Sequence, residues 1–191
     1  MKLNAKLFAA ALALPLLLAA CGSASTPEGT VKFNALKTEF KDQAGNYVAC
    51  DNSTGSDNNA KQTAVGIYYS ASGTVDSIDV GLRGANGNIY DGNYNKNVSG
   101  SSLQNIGGND FKTVFYADSS TGFLPQAIIV NPSGTAKVKI VNPTGKIGSF
   151  YAVLKINTAS GNASTNSRLA LLLDIPVYSN CTVTSTTTET L

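Results

Sequence analysis

The 191-residue chain contains no His and no Trp, and its single Met is the first residue. Without imidazole, neither a Ser/His/Asp triad, a Cys/His nucleophile pair nor a His-ligated zinc can be assembled from this chain alone. Glu is scarce too, occurring only as Glu28, Glu39 and Glu189. Carboxylate-pair hydrolysis needs no His, but no two acids form a recognisable motif and no SxxK occurs. The chain is therefore expected to be non-catalytic and without cofactor or metal, a His-independent hydrolase being the less favoured alternative. An excess of either charge is also missing. Of the 14 Lys and Arg, Lys2 and Lys6 lie in the first 20 residues, so 14 less 2 leaves 12 basic residues against 12 acidic ones. Nucleic-acid binding normally needs a basic patch or stripe, and no nucleic-acid partner is expected.

Long hydrophobic runs are limited to one, at the N-terminus. Met1–Lys6 is short and basic, and 7–17 is rich in Leu and Ala. That run has the length of a secretory h-region and falls short of the ~20 residues a helix needs to cross a bilayer. Leu18, Ala19, Ala20 and Cys21 follow, and this stretch resembles the lipobox of bacterial lipoprotein signal peptides. The resemblance covers residues 1–21. It implies cleavage before Cys21, a diacylglyceryl group on its thiol and an acylated amine, hence a membrane partner reached through lipid. Several chains together anchor stably where one is marginal, at ~0.8 kcal/mol per buried CH2. Gly22 stands where the family commonly has Asp for inner-membrane retention, which implies the outer membrane of the bacterial envelope.

With Cys21 assigned to lipid, Cys50 and Cys181 remain in an exported, oxidising compartment, and an even remainder suggests one disulfide. The alternative, a redox or metal pair, has no CxxC spacing behind it. Residues 21–30 are small and polar, as suits a flexible tether, and 31–181 has the length of one ordinary domain. Residues 182–191, rich in Thr, read as a C-terminal tail.

Within the domain the pattern is that of short strands. Val31, Phe33 and Ala35 alternate with polar residues, as do Ile78, Val80 and Leu82, and Phe111, Thr113 and Phe115. Period two means one buried face. The more continuous apolar segments 64–70, 127–130 and 169–177 are expected to be central or doubly covered strands. Asn131-Pro-Ser-Gly134 recurs as Asn142-Pro-Thr-Gly145. Pro and Gly there suit two β-turns bracketing one strand, with 147–156 returning antiparallel and 157–167 as a loop. The expected fold is all-β, an antiparallel β-sandwich with immunoglobulin-like layering at most, and a β-barrel as runner-up. Asp174 interrupts the last apolar run and is expected to mark a bulge or to pair with a nearby Lys or Arg, a perturbed catalytic acid being the less favoured alternative. Lys137, Lys139, Lys146 and Lys155 read as a solvated strip.

The segment 84–100 holds four Gly and five Asn in 17 residues and reads as a loop at one end of the sandwich, the place where binding residues concentrate. Asp91, Asn93, Asn95 and Asn97 alternate as calcium ligands do, but Lys96 and Ser102 stand where an EF-hand needs Gly and Glu. Tyr90, Asp91, Asn93 and Tyr94 are the candidate contacts, aromatic faces beside hydrogen-bonding groups. Tyr68 and Tyr69 on a neighbouring strand extend this surface. The expected function is a lipid-anchored domain that binds or supports another envelope component, a protein or a polysaccharide, with a glycan-binding module as the named alternative.

Overall fold

A computed structural model describes residues 30–55, 62–84, 94–118, 127–130, 135–159 and 161–191. In chain order these form β1 (Val31–Thr38), β2 (Phe40–Lys41), β3 (Tyr47–Cys50), β4 (Ser53–Thr54), β5 (Gln62–Ala71), β6 (Val75–Gly84) and β7 (Tyr94–Ser99). There follow β8 (Gln104–Gly107), β9 (Asp110–Asp118), β10 (Ala127–Val130), β11 (Lys137–Thr158), β12 (Gly161–Asn166), the single turn of helix α1 (Ser167–Leu171) and β13 (Ile175–Thr190). The fold is an all-β sandwich. One sheet runs β1-β5-β9-β10 with β8 also on β9, every pair antiparallel. The other runs β4-β13-β3-β2-β11-β6-β7 with β12 on β11, and it is mixed, because β13 pairs β3 and β4 in parallel and β11 pairs β2 in parallel.

Alternation explains the main core. Val65, Ile67, Tyr69 and Phe115 from the first sheet meet Ile78, Val80, Leu82, Phe150, Leu154 and Ile156 from the second, all of them buried. In β1 a bulge between Phe33 and Ala35 resets the alternation, so Phe33 and Leu36 are buried while Ala35 is half-exposed. β5 lies between β1 and β9 and is covered on both faces, since Ala64 packs with Val114, Val138 and Leu191 in a separate cluster. β10 instead lies at the end of the first sheet's path. The pairings β13–β3–β2–β11 close back on β13. Those four strands supply another cluster, Phe40, Val48, Cys50, Val141 and Cys181, around the Cys50–Cys181 disulfide.

Several elements differ from the sequence expectation. Asn142–Gly145 is no hairpin turn: β11 runs through it for 22 residues, with Pro143 opposite Cys181 and Thr144 opposite Asn180 on β13. Gly145 has a φ of +67° and the register shifts between Lys146 and Gly148, so the motif makes a bulge and bend within a strand. The equivalent Asn131–Gly134 lies outside the described residues. The expected loop 157–167 is a hairpin, with β12 returning along β11 from Gly161. The expected strand 169–177 splits, because Asn166 caps α1 by accepting from the Leu169 N–H at 2.8 Å and Leu172 turns the chain at φ 52°. Finally, 182–191 is no tail. β13 continues to Thr190 against β11, and Leu191 is 1% exposed.

Candidate functional site

Tyr69, expected on a binding surface, is a core residue: fully buried, with its ring stacked on Phe111 at 5.7 Å. Of the candidate contacts, Tyr90, Asp91 and Asn93 lie outside the described residues, as does Cys21. Tyr94 opens β7 opposite Leu82, so 94–99 is a strand where a loop was expected. Asn97 is committed there, its amide donating to Asp79 Oδ1 at 2.7 Å and to Ser77 Oγ at 3.2 Å. With a further bond from Asn157, Asn97 holds the Asp79 carboxyl below the usual range. That network is satisfied internally.

A concave site lined by described residues lies elsewhere. A cleft of about 450 Å³ opens between the β2–β3 turn, the β11 bulge and the start of β13. The first wall is an Asx-type turn. The Asn46 N–H donates to Asp42 Oδ1 at 2.8 Å and the Asn46 amide donates to Oδ2 at 3.0 Å, while Gly45, at φ +87°, donates its N–H to the Asp42 carbonyl. Desolvation pushes the Asp42 carboxyl up, but the donors of Asn46, Ala44 and Gly45 outweigh it and hold the group below its usual range.

The second wall is Lys146, which faces Tyr178 directly across the β11–β13 pair. Opposed residues in an antiparallel pair project to one face, so the bend at Gly145 sets both into the cleft. Gly145 cannot be replaced without cost: beyond its positive φ, a Cβ there would overlap the Ser179 hydroxyl. The third wall is Leu173, Asp174 and Pro176. Here the sequence expectation for Asp174 is met, since Arg168 grips both its oxygens, Nε to Oδ1 at 2.9 Å and Nη2 to Oδ2 at 2.8 Å. The Arg168 guanidinium in turn lies 4.4 Å from the centre of the Tyr151 ring.

Tyr47 completes the lining and links the cleft to a charged cluster behind it. Its hydroxyl donates to Glu189 Oε1 at 2.6 Å, while Lys41 Nζ lies 2.5 Å from Oε2 and Lys37 Nζ lies 3.4 Å from Oε1. The hydrogen bond from Lys41, and then that from Tyr47, pull the Glu189 carboxyl down to about 2. Burial, and then the neighbouring carboxylate, push the Tyr47 phenol up. Among the described residues, the Lys146 ammonium and the Tyr178 hydroxyl carry no hydrogen bond or ion pair, so they are the cleft's uncommitted polar groups.

Sequence reasoning passed over this site because its walls come from three distant segments. One local signal was readable, the turn sequence Asp42-Gln-Ala-Gly-Asn46 between Lys41 and Tyr47. Of the expected solvated strip, Lys137, Lys146 and Lys155 are exposed, Lys146 at the mouth of the cleft, while Lys139 is half-buried and pairs with Glu39 at 3.4 Å. In comparison with known proteins, no family model, no curated protein and no solved structure matches this chain.

Proposed function

We propose that this chain is a lipid-anchored protein of the bacterial cell envelope, held through Cys21 in the outer membrane, whose non-catalytic β-sandwich binds or supports another envelope component. The anchor rests on the Leu18–Cys21 lipobox. The binding role rests on one observation, the cleft with two tyrosines and four polar or charged side chains on a single concave surface. Ligand sites are typically largely pre-formed concavities with a few convergent polar groups. The walls of this one are fixed by the Asp42–Asn46 turn, the Arg168–Asp174 pair and the neighbouring disulfide. Tyr90, Asp91, Asn93 and Tyr94 are kept, on their sequence alone, as a second proposed set of contacts.

Photocrosslinking in intact cells separates the two surfaces. A photoreactive residue at Asn46 should yield one discrete adduct with an envelope component, and the same residue at Asp91 tests the second surface. If Asn46 gives no adduct while Asp91 does, the cleft is the wrong surface. If neither gives one, the binding reading itself is abandoned.

A further inference from the structure

The balance of groups in the cleft narrows the ligand beyond "an envelope component". Its titratable lining is two carboxylates, Asp42 and Asp174, one ammonium, Lys146, and the phenols of Tyr47 and Tyr178. Asp174 is neutralised by Arg168, which leaves Asp42 against Lys146. With Arg168 counted, the charges of the lining balance, so the lining itself selects neither a polyanion nor a polycation. A uronic or phosphorylated chain would meet the Asp42 carboxylate, and an amino-sugar polymer would meet Lys146.

The hydrogen-bonding inventory points the same way. Lys146 offers only donors, and the Tyr178 hydroxyl offers both a donor and an acceptor. The carboxylates of Asp42 and Asp174, each oxygen already taking one bond, retain lone pairs for more. A ligand that satisfies all of these must donate and accept at closely spaced points, which neighbouring hydroxyl groups do. Tyr178 supplies the apolar component. Half-buried, it packs against the cluster around Cys50–Cys181 and so holds its ring in a fixed orientation. Such a ring is a rigid platform that loses little side-chain freedom when a ligand covers it.

A protein partner fits less well. Protein interfaces draw their affinity from apolar and aromatic anchors in dry pockets, and the aliphatic lining here is confined to Leu173 and Pro176. The large apolar side chains most exposed among the described residues, Leu169, Leu172 and Ile106, do not line the cleft.

Resting on the proposed binding role of this cleft, we infer that it is a subsite for an uncharged polysaccharide. One sugar ring lies against Tyr178, and its hydroxyls are shared between Lys146, the Tyr178 hydroxyl and the carboxylates of Asp42 and Asp174.

The test uses the full lipidated chain in detergent and native electrophoresis through gels containing the uncharged polysaccharide fraction of the producing cell's own envelope. The acidic fraction of that envelope and chitosan serve as charged comparators. The uncharged fraction should retard the protein and the charged polymers should not. Tyr178→Ala should weaken retardation about tenfold or more, Tyr178→Phe and Lys146→Ala by a few-fold each. Lys146 is exposed, so Lys146→Ala reports on binding even if Tyr178→Ala fails to fold, which its melting curve reveals. The inference is overturned if the uncharged fraction gives no retardation, if only a charged polymer retards, or if Lys146→Ala and a folded Tyr178→Ala bind like the parent. A discrete protein adduct at Asn46 in cells, without retardation by polysaccharide, overturns the sugar and leaves the binding domain standing. Absence of both removes both readings.

Discussion

The Tyr47 hydroxyl donates to Glu189 Oε1 at 2.6 Å across 142 positions of sequence, so the end of β13 is tied to the β2–β3 hairpin by a side-chain bond. Lys41 and Lys37 complete that tie. It holds the final strand across the face from which Tyr68 projects, and Lys37 Nζ lies 5.1 Å from the centre of the Tyr68 ring.

Acid should therefore loosen the last strand. Glu189 titrates near 2 when folded and near 4.5 when its partners are gone. Its contribution is thus fully present above about pH 4.5 and is lost as pH falls toward 2. Glu189→Gln should unfold at a lower urea concentration at pH 7, by about 1 kcal/mol. Its stability should also decline less steeply than the parent's between pH 4.5 and 2.5. Urea midpoints at both pH values check this, and parallel slopes for parent and variant would contradict it.

The disulfide closes a segment with a sequence separation of 131 residues and links β3 to β13, which run in parallel side by side. The chain-entropy account gives it up to about 5 kcal/mol, with measured values commonly lower. Cys50→Ala with Cys181→Ala should lower the melting temperature by at least several degrees. In the unreduced parent, thiol titration under denaturing conditions should find neither Cys50 nor Cys181 reactive. Reactivity without reductant would refute the pairing in the exported protein.

Two leucines should behave in opposite ways. Leu191 is 1% exposed, packed with Ala64, Val114 and Val138, and its N–H donates to the Ala136 carbonyl at 2.9 Å. Leu191→Ala should cost about 2–4 kcal/mol. Leu172 is 90% exposed, and Leu172→Ala should fall within about 0.5 kcal/mol of the parent. Thermal or denaturant unfolding of the pair decides it, and equal effects would place residues 182–191 outside the cooperative fold.

Lipid attachment is checked at Cys21. Mass spectrometry of the N-terminal peptide should find it acylated. Cys21→Ser should leave the domain's unfolding transition intact while moving the protein from the membrane fraction to soluble or uncleaved forms. An unmodified N-terminus in the parent would end the lipoprotein reading.

Much of the fold was readable because it depends on local pattern. The alternation at Ile78, Val80 and Leu82 and that from Phe150 to Ile156 place one face of a strand in the core wherever those strands pair. The even cysteine remainder led to Cys50–Cys181, and a carboxylate inside an apolar run required a partner, which proved to be Arg168. What misled was punctuation. Asn142-Pro-Thr-Gly145 carries the residues of a turn, but β13 pairs along its whole length and turns it into a bulge. The polar end of β13 has the composition of a tail, yet its backbone hydrogen-bonds to β11 whatever its side chains are.

By itself, then, the sequence determined what needs only neighbours along the chain. That includes the strand faces, the turn at Asp42–Asn46, the lipobox pattern, and the absence of imidazole chemistry. Only the tertiary structure decided which strands lie side by side, and hence that Lys146 stands opposite Tyr178 and both stand near Asp42 and Asp174. The physical reason is that strand pairing is made by backbone groups nearly identical at every residue. Partner choice is therefore set by how the whole set of apolar faces can be buried at once, and no local window contains that information.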